Sequence, residues 1–294
     1  MSAVLWRRFL GIGEPAAAPP PDLGRRIARV QLAAARRIAA PWVGAYRSAF
    51  KGQGIEFADV REYVPGDDAR TVDWRVTART GRLAVRRYVE ERNRTVLFLL
   101  DVGAGILAGS GDRTLLDVAT EVIALIGSAA LAGGDRIALV AWSDRRELEV
   151  PPHRDRAAVL RLVRALMCTR PSGRPSNLSA ALAALPKQLR HSSVLVVLSP
   201  FGGSGYGRVL GALALRHELL LVRLWDELAG IGSADRWVPA RDVWGVAGSS
   251  APAASALPTE LEAIKADLVT VSPRTPLAPL LGRAFAARAR RRVA

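Results

Sequence analysis

The chain has a single cysteine, Cys168, which excludes an internal disulfide and suits a reducing compartment. Its setting, Leu166-Met-Cys in an apolar helical stretch, predicts a small buried residue. Histidine is nearly as scarce. His153 falls in a Pro-Pro-His loop, while His191 and His217 both precede strands, at their amino ends. No G-x-S-x-G elbow is present, and the loop Phe201-Gly-Gly-Ser-Gly-Tyr-Gly207 lacks the Lys-Ser/Thr of a P-loop. Acyl transfer and P-loop hydrolysis are thus left without their parts, and an enzyme is not expected. Apolar runs are short as well. None reaches the roughly 18 residues of a membrane span, and the longest, Val118 to Ala132, is interrupted by Glu121 and reads as a core helix. The opening MSAVLWRRFLGIG is too short and wrongly ordered for a secretory signal. The expected location is the cytoplasm.

Lysine is the last scarcity. Only Lys51, Lys187 and Lys265 stand among 42 basic residues, in a chain of net charge +15. With alanine abundant, part of that charge reports codon composition. The remainder is clustered: eight arginines against Glu14 and Asp22 up to residue 47, and Arg283, Arg288, Arg290, Arg291 and Arg292 at the end. Such clusters predict weak attraction to an anionic membrane surface or an acidic partner. Without an aromatic-rich basic groove or zinc spacing, nucleic acid is disfavoured. Residues 11–22 read as a Pro/Ala linker. Leu23 to Ala39 has the spacing of a basic amphipathic helix, ended by Pro41.

Between Glu56 and Arg92 the charges balance. Eight acids (Glu56, Asp59, Glu62, Asp67, Asp68, Asp73, Glu90, Glu91) face eight arginines (Arg61, Arg70, Arg75, Arg79, Arg82, Arg86, Arg87, Arg92). That pattern predicts ion pairing rather than a one-signed nucleic-acid patch. Val64-Pro-Gly-Asp-Asp is turn chemistry, with proline setting φ and glycine accepting a positive one. Two roles are open for this stretch. In the structural one, Arg70, Asp73 and Arg79 share an ion-pair network with Trp74 packed beneath, so that Asp73→Ala is costly, about 3–5 kcal/mol for a buried pair. In the functional one, Arg61, Asp67 and Asp68 form an exposed docking face whose removal spares stability.

The string E-F-A-D-V-R-E-Y-x-P-G-D-D-x-R-x-V-D-W-x-x-x-A-R-x-G from Glu56 to Gly81, followed by V-x-x-Y-x-E-E and a strand closing on Asp101, resembles the bacterial family called domain of unknown function 58. That family is similar to von Willebrand factor A domains in its C-terminal part. Its members are commonly encoded beside MoxR-type AAA+ ATPases. The resemblance therefore implies a fold and a partner, not a reaction.

The elements that follow agree with it. Thr95–Asp101, Ile137–Trp142, Val194–Ser199, Leu219–Leu224 and 267–271 read as strands separated by helices, with a short partner strand at 147–150. This alternation predicts an α/β fold with a doubly wound, mostly parallel sheet and one antiparallel edge strand, preceded by a helical arm and a charged hairpin segment. The resemblance implies strand order 3-2-1-4-5-6. The division is 1–46 arm and linker, 47–93 charged segment, 94–294 von Willebrand A-like domain.

In such a sheet ligands sit beyond the carboxyl ends of the strands, where strand order reverses. The von Willebrand A resemblance implies a divalent ion there, held by Asp-x-Ser-x-Ser, a second-loop threonine and a third-loop aspartate. This chain has Asp101, then Gly103 and Gly105, then Ser176, then Pro200. One carboxylate and one hydroxyl remain, too few for a hard cation. The expectation is a degenerate metal site, no cofactor, and an adaptor or partner of a MoxR-type AAA+ ATPase. The alternative is a nucleotide- or phosphate-binding protein using the glycine loops at 103–109 and 202–207. Gly103-x-Gly105-x-x-Ala108 fits a dinucleotide fingerprint in form, although the helix is predicted to begin too late, near Arg113.

Overall fold

The structure is a computed structural model that describes residues 40–50, 55–90, 94–110, 113–185, 189, 192–202, 204–226, 259–262, 264 and 266–293. The predicted linker, the helix at 23–39 and most of the connection at 226–258 lie outside the described residues. In chain order the elements are α1 (Ala40–Ala49), β1 (Ile55–Glu62), α2 (Trp74–Thr80), β2 (Ala84–Glu90), β3 (Thr95–Asp101) and α3 (Leu115–Gly133). Next come β4 (Arg136–Trp142), β5 (Arg146–His153), α4 (Ala158–Cys168), α5 (Leu178–Ala184), β6 (Val194–Ser199) and α6 (Gly207–Ala214). The chain closes with β7 (Glu218–Leu224), α7 (Thr259–Glu262), β8 (Asp267–Val271) and α8 (Leu277–Val293).

Two compact units result, one of residues 51–93 and one of residues 1–50 with 94–294. Trp42, Tyr46, Ala49 and Phe50 are buried in the core of the larger unit, where Phe285 of α8 meets three of their rings at centroid distances of 5.4–5.9 Å. Pro41 stands in the first turn of α1. There proline's missing N–H has no intrahelical partner to lose.

The larger unit holds a six-stranded sheet in the order β8-β7-β6-β3-β4-β5. Counting strands within that unit, the order is the expected 3-2-1-4-5-6. All neighbours are parallel except β5, which runs antiparallel to β4. β5 is longer than predicted. It takes Pro151, Pro152 and His153 into the edge, where a register shift in its pairing with β4 absorbs the prolines. The central strands are buried along almost their whole length, as their continuous apolar runs require. One face packs on α1, α3, α4 and α8, the other on α5 and α6.

Helix α3 begins at a capping box, Thr114 with Asp117, and stops at Gly134 in the left-handed region (φ 93°). Its 19 residues are long and apolar enough to cross a membrane, but 72% of that window is buried inside the fold. It forms the middle of the core. Cys168 departs from its expectation: it is exposed, at the C-terminal end of α4.

The smaller unit is a hairpin. β1 and β2 pair antiparallel with a bulge at Phe57/Asp59, and α2 is inserted between them. The turn is as predicted. The Asp67 N–H donates to the Val64 carbonyl at 3.0 Å, and Gly66, at the third position, has φ 110°.

Candidate functional site

The reversal of strand order lies between β3 and β6, and both strands end on polar residues, Asp101 and Ser199. The side chain of Asp101 is buried between three donors. Its Oδ2 accepts from Ser176 Oγ at 2.6 Å and from Ser199 Oγ at 2.7 Å, and its Oδ1 accepts from the Gly103 N–H at 3.0 Å. A carboxylate offers about four acceptor positions, so most are filled by the chain itself. Burial pushes the Asp101 carboxyl above its ordinary pKa, against the opposing pull of the two serine hydroxyls and the Gly103 N–H.

Ser199 has a second task. Its Oγ accepts the Phe201 N–H at 2.9 Å, and the Phe201 carbonyl accepts from Tyr206 Oη at 3.0 Å. These bonds hold Phe201 at φ 54°, a left-handed conformation rare for an aromatic residue, with its ring buried against Tyr206. Burial also lifts the Tyr206 phenol to about 12. Pro200 sits inside this clamp. Ser199 was read from sequence only as the end of a strand; nothing in its spacing announced it as a hinge between two loops.

The second loop is stitched in from the other side. Ala104 N–H donates to the Arg174 carbonyl at 2.9 Å, and Asn177 N–H to the Ser143 carbonyl at 2.8 Å. Arg174 pairs with Asp144 at 2.9 Å, and Glu147 accepts from both Ser143 and Ser172. The rim of the crevice is consequently held by polar side chains, and the Ser172–Glu147 and Arg174–Asp144 pairs join residues far apart in sequence.

The set of Asp101, Gly103, Gly105, Ser176 and Pro200 does converge on the crevice, but it does not fit a resident divalent ion. It presents one carboxylate, and that carboxylate is occupied by hydroxyls. Gly103 is also more constrained than a missing ligand. A Cβ there would lie 2.8 Å from Ser176 Cβ and 3.0 Å from Ser176 N, whereas Gly105 faces open space. Among the described residues no cluster of three or more His, Cys, Asp or Glu side chains is placed to hold a metal.

The two glycine loops are similarly committed. After Gly103 the chain enters a 3-10 turn (Ala104–Leu107) and a two-residue ladder, and α3 begins only at Leu115. The helix that follows this loop in sequence therefore does not open from it. At the second loop, Glu260 of α7 accepts from the Gly205 N–H at 2.7 Å and the Gly207 N–H at 2.6 Å, which holds its carboxyl below the usual range. The anion cradle is filled by the chain's own carboxylate. A separate cleft of about 580 Å³ lies at the amino ends of β7 and β8, beside His217. Its acids, Glu218 and Asp267, are paired with Arg288, and Asp267 also with Arg291.

In the hairpin unit the residues expected as a docking face have local duties. Arg61 grips Asp67 with two hydrogen bonds of 2.7 Å, and Asp67 also accepts the Val64 N–H at 2.9 Å. The arginine, then that N–H, hold the Asp67 carboxyl below its ordinary pKa. Asp68 caps a 3-10 turn through the Arg70 N–H. The expected network of Arg70, Asp73 and Arg79 is not formed. Asp73 is buried as the N-cap of α2 and accepts from the N–H groups of Arg75 and Val76. Trp74 is not beneath anything: it is 68% exposed.

The expected stabilities change accordingly. Asp73→Ala removes the N-cap of α2 and should cost at least about 1 kcal/mol. Asp67→Ala should also lower the melting temperature, because it frees the turn and Arg61. Since the folded carboxyl titrates low, the stabilising effect of Asp67 is present above its unfolded pKa. It is lost as pH falls through the folded value. Thermal unfolding of the two variants at neutral and acid pH tests both statements.

Residues 59–231 match the family model described as "Protein of unknown function DUF58". An uncharacterized protein of Mycobacterium tuberculosis, Rv1480, is 29% identical over 220 residues, which cover 72% of this chain and 69% of that one. Among solved structures, the conserved hypothetical protein BatB from Bacteroides thetaiotaomicron is similar at 12% identity and a TM-score of 0.47, over 67% of this chain and all of that one. The VWA domain of SpRpn10 is similar at 12% identity and a TM-score of 0.43, over 65% of this chain and 93% of that one.

Proposed function

The chain belongs to the DUF58 family, and from that premise we propose that it is a non-enzymatic protein-interaction module, an adaptor that docks on a MoxR-type AAA+ ATPase. The observation that supports this reading most is the state of Asp101. The one carboxylate at the topological switch point is consumed by Ser176, Ser199 and Gly103. It is thereby diverted from ligating a cation or activating water and serves to tie three loops together. The glycine loop that would suit a phosphate is closed in the same way by Glu260. What the fold then offers a partner is surface. The ATPase as partner rests on the family resemblance.

Calorimetric titration of the full chain with a purified MoxR-type ATPase from the same organism tests the proposal. A saturable complex that survives the Asp101→Asn substitution is the expected result. The reading is wrong if the two proteins remain separate at micromolar concentrations, or if the chain alone hydrolyses a nucleotide or phosphoester and loses that activity with Asp101→Asn.

A further inference from the structure

The cleft at the amino ends of β7 and β8 lies at the end of the parallel strands opposite to Asp101. Its volume, about 580 Å³, is in the range of small-molecule sites. The hydrogen-bonding capacity of its lining is uneven. Both oxygens of Asp267 are held by arginines, Arg288 and Arg291, and one oxygen of Glu218 is held by Arg288. The donors of Arg288 are spent on those acids and on the Ala49 and Leu219 carbonyls. What is left over is mostly donor. Arg216 is exposed, and its guanidinium has no partner among the described residues. Arg291 is exposed too and uses one terminal nitrogen on Asp267. Ser192, beside them in the lining, has an uncommitted hydroxyl. A guanidinium carries five N–H donors and no acceptor. Formal charge points the same way. With the ion-paired acids counted in full and His217 neutral, three arginines against two carboxylates leave the lining at +1.

We propose that this cleft is a binding site for a small phosphate monoester, its terminal oxygens held by Arg216, Arg291 and Ser192. Arginine forks match phosphate oxygens in pairs, and such charge-assisted bonds are among the strong ones. A monoester presents three terminal oxygens to this surplus of donors, where a carboxylate presents two. A cation would have to draw Glu218 and Asp267 away from their arginines. Ala214, Leu215 and Ala266 supply apolar ground for the organic part of the ester, and Leu215 is 87% exposed. His217 is a built-in reporter. Its Nδ1 is enclosed without a hydrogen-bond partner, and burial, then the charge of Arg216, hold its pKa below the ordinary value. A bound anion offsets the field of Arg216 and so favours the imidazolium. The site lies apart from the glycine loops and does not depend on the adaptor reading.

Two measurements with the full chain test it. Calorimetric titration with glycerol 3-phosphate, in a buffer free of phosphate, should show saturable binding, with acetate at the same ionic strength at least about tenfold weaker. Arg216→Ala should weaken the binding of glycerol 3-phosphate by at least about tenfold, the size of one charge-assisted contact. It should leave the melting temperature unchanged, since the side chain is exposed. Arg164→Ala removes an exposed arginine of α4, outside the cleft, and should leave the affinity unaltered. Nuclear magnetic resonance of the imidazoles gives the second readout. Glycerol 3-phosphate should raise the pKa of His217 but not of His153, and Arg216→Ala should abolish most of that rise. The proposal is overturned by heats that never saturate, by equal affinity for acetate, or by binding that leaves the His217 titration unmoved. Equal losses in Arg164→Ala and Arg216→Ala also overturn it, because they would show attraction to net charge rather than to a site.

Discussion

Replacing Arg288 with methionine should destabilise the larger unit by about 3–5 kcal/mol, the cost of breaking a buried ion-pair network by removing its central member. In a unit of this size that lowers the melting temperature by roughly 6–20 °C. Arg288 carries a sequence-derived charge in a run of arginines, yet it is an interior residue. Its side chain is 10% exposed and pairs with Glu218 and Asp267, themselves 17% and 16% exposed. Its Nε donates to the Ala49 carbonyl and one terminal nitrogen to the Leu219 carbonyl, each at 2.9 Å, and its guanidinium lies 4.7 Å from the Phe50 ring centre. One residue thus ties the end of α1, the start of β7 and the start of β8 to α8. Removing it takes a cationic partner from two carboxylates and a donor from two carbonyls, although Asp267 keeps Arg291. The combined variant Arg288→Met, Glu218→Gln, Asp267→Asn should recover most of the loss, because neutral groups tolerate that environment. Arg291→Ala should cost little, since its side chain is 68% exposed. Urea unfolding of the four proteins decides the matter. An Arg288→Met protein as stable as the parent would mean that the carboxylates are solvated and the pairing is surface decoration.

The same arginine shows where sequence reading stops. Strands β3, β6 and β7 were legible because an unbroken apolar run has few other places to go than the middle of a parallel sheet. The turn at Val64 was legible because proline and glycine each permit a narrow range of φ at a known position. The helix expected to begin near Arg113 starts at Leu115. Partners distant in sequence carry no such local mark. Arg288 meets Glu218, Glu260 meets Gly205, and Ser199 meets Asp101 across intervals that spacing does not encode. Composition in residues 56–92 could not say that Asp73 would cap α2 through backbone N–H groups, nor that Trp74 would be exposed.

At the crevice, Asp101→Ala should cost about 2–4 kcal/mol, because it leaves the Ser199 hydroxyl and the Gly103 N–H buried without an acceptor. Asp101→Asn should cost less, since an amide oxygen can still accept and the serine hydroxyls can reorient. The two carboxamide-for-carboxylate states also separate by pH. Burial raises the folded pKa of Asp101 above its unfolded value, so ionisation opposes folding. The stability contribution of this group should therefore rise as pH falls from above the folded pKa to the unfolded one, near 4. Subtracting the pH profile of Asp101→Asn from that of the parent isolates this effect from other carboxylates such as Asp135. A difference profile sloping the opposite way would show a carboxylate stabilised in its charged form, the condition a cation site requires. The repair of the loops is expected to be unequal. Gly105→Ser should be accommodated within about 0.5 kcal/mol, as its Cβ meets nothing. Gly103→Ser should cost about 1–3 kcal/mol, because its Cβ must displace Ser176, whose hydroxyl holds Asp101. That displacement also frees Oδ2. In the variant Gly103→Ser, Gly105→Ser, Pro200→Asp, Mg²⁺ or Mn²⁺ should therefore bind saturably and raise the lowered melting temperature, while the parent shows no saturable binding below about millimolar, the weak end of protein cation sites. Micromolar binding by the parent, lost with Asp101→Ala, would show instead that the hydroxyls around Asp101 turn outward to ligate, and that the crevice is a working cation site.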